Sequence, residues 1–328
     1  MSVSTGSLND LLKSRDLGCF LKNALRPEGI DAEDVLACSF ECANEGGKLI
    51  REALKKRDKS MALAHSAKIS DADLVTETDL SVERLVRSKL AQKFPGHLFV
   101  GEEGTSDAIG IGDRAGRFVW IVDPIDGTTN FVHSFPVVAV SIGFAYGDET
   151  LMGLVYNPMT EEAWFAWKNS GAFFMRSSGG ISSIKTSGCS SLGSALVSTG
   201  FAVPLLRRKT PNRDAQEKLM SIVERNTRVL MTRSRDIRRI GSAACDLCYV
   251  AMGRTDVFYE FGIKEWDVAA GLLILEEAGG QVSTVGGLQP CSIRGRNIMG
   301  CSSSGLRMEM ASALTDVDVV KLIEEVEK

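Results

Sequence analysis

The sequence predicts an α+β fold, and three observations carry that prediction. Two amphipathic stretches near the start read as helices, with apolar residues recurring every three or four positions. Between Phe99 and Phe174 the pattern breaks into short apolar runs separated by Gly, Asp or Asn-Pro, the texture of strands and hairpins. The remainder mixes helix-like and strand-like runs in no regular βαβ order, which argues for layered helices and largely antiparallel sheets.

The first helix is expected from Asp31, whose carboxylate can cap a run carrying Leu36, Phe40, Ala43, Leu49, Ile50 and Leu54. A second is expected to follow Asp79, with Val82, Leu85, Val86 and Leu90 on one stripe and Pro95-Gly96 as its stop. Strands are expected at 118–122, 137–145, 151–156 and 163–167, with a long Ser/Gly loop over 177–194. Another apolar run follows at 195–199. A charged helix is then expected near 215–229, and buried helices at 242–252 and 268–278 bracket a strand at 256–259. Residues 1–30 read as a partly mobile extension and 31–328 as the catalytic domain.

Composition narrows the function. With 328 residues, 44% of them hydrophobic, the chain can bury a large core, and a net charge of −4 predicts neither a nucleic-acid nor a membrane surface. Eight scattered cysteines lack the paired spacing of a secreted disulfide framework, so a cytoplasmic location is expected. No stretch approaches the ~20 apolar residues of a bilayer span, and residues 1–26 lack a secretory apolar run. A small-molecule partner fits best.

The chemistry is concentrated in Trp120-Ile-Val-Asp123-Pro-Ile-Asp126-Gly127-Thr128-Thr129-Asn130. An apolar strand running into two carboxylates, then Gly-Thr-Thr, sets oxygen ligands beside free backbone N–H groups. A hard divalent cation needs the first and a phosphate the second. A D-x-x-D turn by itself can also be a simple cap. Three more acidic segments add weight: Asp73-Leu-Val-Thr-Glu-Thr-Asp79, Gly101-Glu102-Glu103-Gly104 after Phe99-Val100, and Trp266-Asp267-Val-Ala-Ala-Gly271.

In order and spacing these four segments resemble the inositol monophosphatase family, over roughly Asp31 to beyond Gly280. The resemblance implies an αβαβα sugar-phosphatase fold, a homodimer, lithium sensitivity, and up to three Mg2+ ions per site. By the same resemblance Glu102, Asp123 and the Ile125 carbonyl hold the first ion, and Asp123, Asp126 and Asp267 the second. Glu102 reaches the third through water. Thr128, hydrogen-bonded to Asp79, orients and deprotonates the attacking water. Gly127, Thr128, Ser242, Ala243, Glu260 and Lys264 contact the substrate. Lys264 reads equally well as a solvated surface residue, and Lys68 aligns with a basic residue near the site in some relatives.

The implied reaction is hydrolysis of inositol monophosphate to myo-inositol and phosphate. Its rivals are other phosphate monoesters (histidinol phosphate, a nucleotide bisphosphate, fructose 1,6-bisphosphate) and a non-catalytic binding protein on the same fold. Cys245-x-x-Cys248 lies in an apolar helix-like run and reads as core rather than a metal site. His65, His97 and His133 share no ligand spacing, Gly110-Ile-Gly112 reads as a loop, and the basic runs at 207–213 and 233–239 read as exposed ends or loops.

Overall fold

The computed structural model describes residues 21, 29–63, 71–104, 111–176, 180–287, 290–315 and 319–328. Most of 1–30, together with Lys68, His65 and Gly110, lies outside those residues. Leu21, placed by the sequence reading in the extension, is buried in the first core.

Helix α1 (Ala32–Leu63) starts where expected, because the Asp31 carboxylate accepts the Glu33 and Asp34 N–H groups at 2.9 and 3.3 Å. Helix α2 (Asp71–Lys93) begins eight residues before Asp79. That corrects the expected start: Asp79 lies in the third turn, and it is buried, with 2% exposure. Its short polar side chain imitates a cap in sequence, but here the helix continues through it.

Seven strands form the first sheet in sequence order: β1 (Leu98–Gly101), β2 (Phe118–Asp126), β3 (Ala139–Tyr146), β4 (Glu149–Asn157), β5 (Glu162–Trp167), β6 (Ala172–Arg176) and β7 (Ile181–Ile184). Strand β7 falls inside the segment expected to be a loop, and its exposed serines hide its pairing with β6. Every pair in this sheet is antiparallel except β1 with β2.

Five strands form the second sheet in the order β11-β12-β10-β8-β9: β8 (Leu196–Thr199), β9 (Asp236–Arg238), β10 (Val257–Phe261), β11 (Gln281–Ser283) and β12 (Asn297–Cys301). Here β8 pairs in parallel with both β9 and β10, while β12 pairs antiparallel with β10 and β11. Helical crossovers impose the parallel pairs. Helices α4 (Val203–Arg207) and α5 (Arg213–Arg233) link β8 to β9, and α6 (Ala243–Ala251) links β9 to β10.

Three packing interfaces set the layers. Trp120, Val122, Val140, Ile142 and Leu154 face α1 and α2. On the opposite face, Val119, Ile121, Val155 and Trp164 pack with α6 and α7 (Glu265–Glu277), which also cover Phe258 and Ile298 of the second sheet. The far face of that sheet carries Val197, Val257, Tyr259 and Met299 against α5, α8 (Ser304–Ala313) and α9 (Val319–Glu327). The result is αβαβα. Burial on both faces explains why β2 reads as an unbroken apolar run rather than an alternating one. Among the described residues no helix is long and apolar enough to cross a membrane.

Helix α7 sits unusually close to β4. A Cβ on Gly153 would lie 2.5 Å from the Ala270 carbonyl oxygen, a backbone atom that cannot swing away. Gly153→Ala is therefore expected to lower stability by about 1–3 kcal/mol, the usual penalty for overpacking, and to weaken metal binding with it. An unchanged denaturation midpoint would show that α7 can lift off the sheet freely.

Candidate active site

The site begins with a fault in β2. Asp123 pairs with Ser141 but Asp126 pairs with Ala139, so three steps on β2 match two on β3. In a regular strand, residues three apart point to opposite faces. One extra residue restores the parity, and the bulge turns both carboxylates to the side that faces α7. Pro124, which donates no N–H to the ladder, lies within this irregular stretch. The Asp123 carboxylate accepts the Ile125 N–H at 3.0 Å and braces the bend.

Asp267 arrives from the other direction, in the first turn of α7. One of its oxygens accepts the Lys264 N–H at 2.7 Å, so the carboxylate caps its own helix. Asp123, Asp126 and Asp267 converge, each with a carboxylate oxygen within 4.8 Å of the others. Glu102 comes from parallel pairing: Gly101 registers with Val122, so the residues that follow, Glu102 and Asp123, leave the same sheet edge side by side. Asp79 approaches from α2.

Burial raises the proton affinity of all five groups, and mutual repulsion adds to it for Asp79, Glu102, Asp123 and Asp126. Desolvation comes first for Asp79, then the charges of Glu102, Glu103 and Glu83, which together bring its pKa to about 8. Water reaches Glu102, yet the protein packed round its carboxylate and the charge of Asp267 raise it to about 8. Asp126 rises to about 7, again by desolvation and then by Asp267. Asp123 shifts upward for the same reason, and Asp267 by desolvation alone, against the lowering contacts of the Lys264 N–H and Asp123. Asp79 Oδ1 is buried without a hydrogen-bond partner. Crowded, dehydrated carboxylates of this kind suit divalent cations, which convert mutual repulsion into shared attraction.

Gly127 closes the loop. Its φ of +97° and the 2.9 Å from an added Cβ to the Val137 carbonyl both exclude a side chain. The short helix α3 (Thr128–Val132) follows, its first N–H groups lacking helical partners. Asn130 donates to the Val137 and Ile240 carbonyls, each at 2.8 Å, and so ties this loop to the 240 segment.

Other expected site residues are held by contacts within the chain. The Thr128 hydroxyl donates to the Ile125 carbonyl at 3.4 Å and not to Asp79. Ser242 is 1% exposed, and its hydroxyl donates to Asp126 at 2.5 Å; the Ala243 and Ala244 N–H groups donate to the same carboxylate at 3.3 and 2.8 Å. The donors expected to read the substrate thus hold Asp126 at the start of α6. Lys264 presents its backbone N–H to Asp267, while its ammonium lies 3.9 Å from Glu327 and its charge still favours the ionised Asp267. Glu260 stands at the end of β10 with its pKa at about 8, from burial and the charges of Asp246 and Asp267. It fits only because Gly200 leaves room: a Cβ there would overlap its carboxylate.

His97 lies half-buried in the loop before β1. It accepts the Trp120 Nε1–H at 3.2 Å and lies among Phe94, Phe118 and Phe144, a structural place. Cys245 and Cys248 are buried core residues, and all seven described cysteines are free. Sequence reasoning missed Glu83, whose carboxylate accepts the Glu103 N–H at 2.9 Å and shapes the turn presenting Glu102. Its place one helical turn after Asp79 was the available signal.

The comparisons with known proteins agree with this arrangement. The family model described as "Inositol monophosphatase family" matches residues 31–318. "Inositol monophosphatase 2" of Homo sapiens is 36% identical over 287 residues, covering 87% of this chain and 92% of that protein. The protein of the same description from Solanum lycopersicum is 42% identical over 256 residues, covering 76% and 87%. The solved structure of SaIMPase-II with inositol monophosphate bound has a TM-score of 0.63 and 28% identity, covering 85% of this chain and 95% of that one.

Fold, site and likenesses together define a phosphatase with a cluster of carboxylates that could hold a metal ion. The chain belongs to the inositol monophosphatase family.

Proposed function

We propose that this phosphatase is Mg2+-dependent and hydrolyses inositol monophosphate to myo-inositol and phosphate. The convergence of Asp123, Asp126 and Asp267 carries the reading, since three carboxylates within 4.8 Å match a divalent cation's oxygen preference. Glu102, Asp123 and the Ile125 carbonyl would hold one ion, Asp123, Asp126 and Asp267 a second, and Glu102 a third through water. Bound Mg2+ would neutralise the phosphate dianion and lower the pKa of water.

The chain's own groups supply orientation. The free N–H groups after Gly127 face the phosphoryl oxygens, and the Thr128 hydroxyl aligns the attacking water for in-line displacement. Asp79, its pKa near 8 and one oxygen without a partner, would accept the relayed proton once the Thr128 hydroxyl turns to it from the Ile125 carbonyl. Glu260 accepts hydrogen bonds from substrate hydroxyls, a contact that rejects substrates lacking them. SaIMPase-II, solved with inositol monophosphate bound and also with 2'AMP bound, supports a small phosphate monoester as the substrate class.

A phosphate-release assay tests the proposal with inositol monophosphate, histidinol phosphate, a nucleotide bisphosphate and fructose 1,6-bisphosphate, each with and without Mg2+. Inositol monophosphate is expected to show the highest kcat/KM, with activity lost on chelation. A higher value for another ester refutes the substrate, and metal-independent turnover refutes the mechanism. The same reading makes the enzyme a lithium-sensitive cytoplasmic homodimer. Free thiols at all seven described cysteines support the compartment, while sedimentation and added lithium test the rest.

A further inference from the structure

One end of α7 is fastened by an ion pair whose acid stands two residues before Asp267. Arg114, the last residue of a short 3-10 turn (Ile111–Arg114), is fully buried at 0% side-chain exposure. Its Nη1 donates to Glu265 Oε2 at 2.6 Å and its Nη2 to Glu265 Oε1 at 2.9 Å, a two-pronged fork onto one carboxylate. Glu265 is itself only 9% exposed and is the first residue of α7. Asp148, in the turn joining β3 to β4, lies 4.0 Å from Arg114 and 3.7 Å from Arg294.

We propose that the Arg114–Glu265 fork is a positioning device that sets the start of α7, and hence the Asp267 carboxylate, in register with Asp123 and Asp126. The proposal rests on the reading of those aspartates as metal ligands.

Three features argue for positioning rather than for bulk stability. A planar guanidinium gripping both oxygens of a carboxylate constrains direction as well as distance, which a lysine cannot do. The pair is expensive, because both charges are dehydrated and Arg114 Nε is left without a partner; well-packed apolar residues of like volume often serve stability as well or better. Its place is also specific. Glu265 stands two residues before Asp267, and Trp266 between them packs against Val119 and Ile121 while its carbonyl accepts from Ser141 at 3.4 Å. The first turn of α7 is thus pinned at consecutive residues: Glu265 by Arg114, Trp266 by β2 and β3, and Asp267 by the Lys264 N–H. A slip of the outermost pin is carried directly to the ligand carboxylate.

The test replaces both partners at once, Arg114→Met with Glu265→Leu, so that no lone charge is buried. Mn2+ binding to the metal-free protein is measured by titration calorimetry beside the melting temperature, and activity is followed against metal concentration. The double variant is expected to melt close to the wild type yet bind Mn2+ about tenfold more weakly, as for other partners that orient ligands from behind. The metal concentration giving half-maximal rate is expected to rise in proportion, with kcat at saturating metal much less affected. Wild-type Mn2+ affinity in the folded double variant would overturn the proposal. If that variant does not fold, Arg114→Lys decides, since it keeps the charge but not the fork: weakened affinity supports positioning and wild-type affinity refutes it. Should the unaltered protein bind no Mn2+, the metal reading itself fails and takes this inference with it, a result separable from failure in the variants alone.

Discussion

Asp123→Asn is expected to lower kcat for the preferred monoester by at least about a thousandfold while leaving the protein folded. Asp123 is 1% exposed and sits where the influences of Glu102, Asp126, Asp267 and Asp79 meet, so no other carboxylate is so central to the cluster. An asparagine fills the same space and can still accept the Ile125 N–H through its carbonyl oxygen. It brings no negative charge, however, and turns an N–H2 towards the place where a cation is expected. The same substitution removes one of several repelling charges, so the metal-free variant is expected to melt no lower than the wild type. Turnover in Mg2+ at the wild-type rate would remove Asp123 from the mechanism, and an unfolded variant would show that its carboxylate holds the bulge together.

The second large effect concerns pH. Unfolded, these carboxyls titrate at their ordinary values near 4; folded and metal-free, Asp126 titrates at about 7 and Asp79, Glu102 and Glu260 at about 8. The folded chain therefore binds more protons than the unfolded chain across that window. Stability contributed by the protonated groups is complete below their unfolded pKa and disappears as pH rises through 7 and 8. The metal-free protein is expected to melt several degrees lower at about pH 8.5 than at about pH 5.5. Mg2+ binds the deprotonated cluster and competes with those protons, so the rise in melting temperature that it causes is expected to grow with pH. Thermal scans with and without Mg2+ at each pH check this. A metal-induced shift that stays constant with pH would mean that the carboxylates titrate normally.

Much of the site was legible because its parts are local. Asp123-Pro-Ile-Asp126-Gly127-Thr128 occupies consecutive positions at the end of one strand, and its spacing already implied convergence. Glu102 and Asp267 were legible for a related reason, each directly following or opening an element with a strong apolar pattern. The start of α2 was misread because Asp79 has the composition of a cap and the function of a buried group. Strand β7 was missed because an edge strand with exposed serines shows no apolar period.

Residue order alone settled the α+β class, the elements at the centre of each layer and the family, since these follow from apolar period, turn chemistry and short contiguous motifs. Folding in three dimensions decided how the pieces act on one another. It turned Ser242 and Ala243 towards Asp126, directed the Thr128 hydroxyl to Ile125 and locked Arg114 onto Glu265 across 151 residues. It also raised the carboxyl pKa values. Each of these depends on distance and dehydration between segments far apart in the chain, quantities that local spacing does not encode.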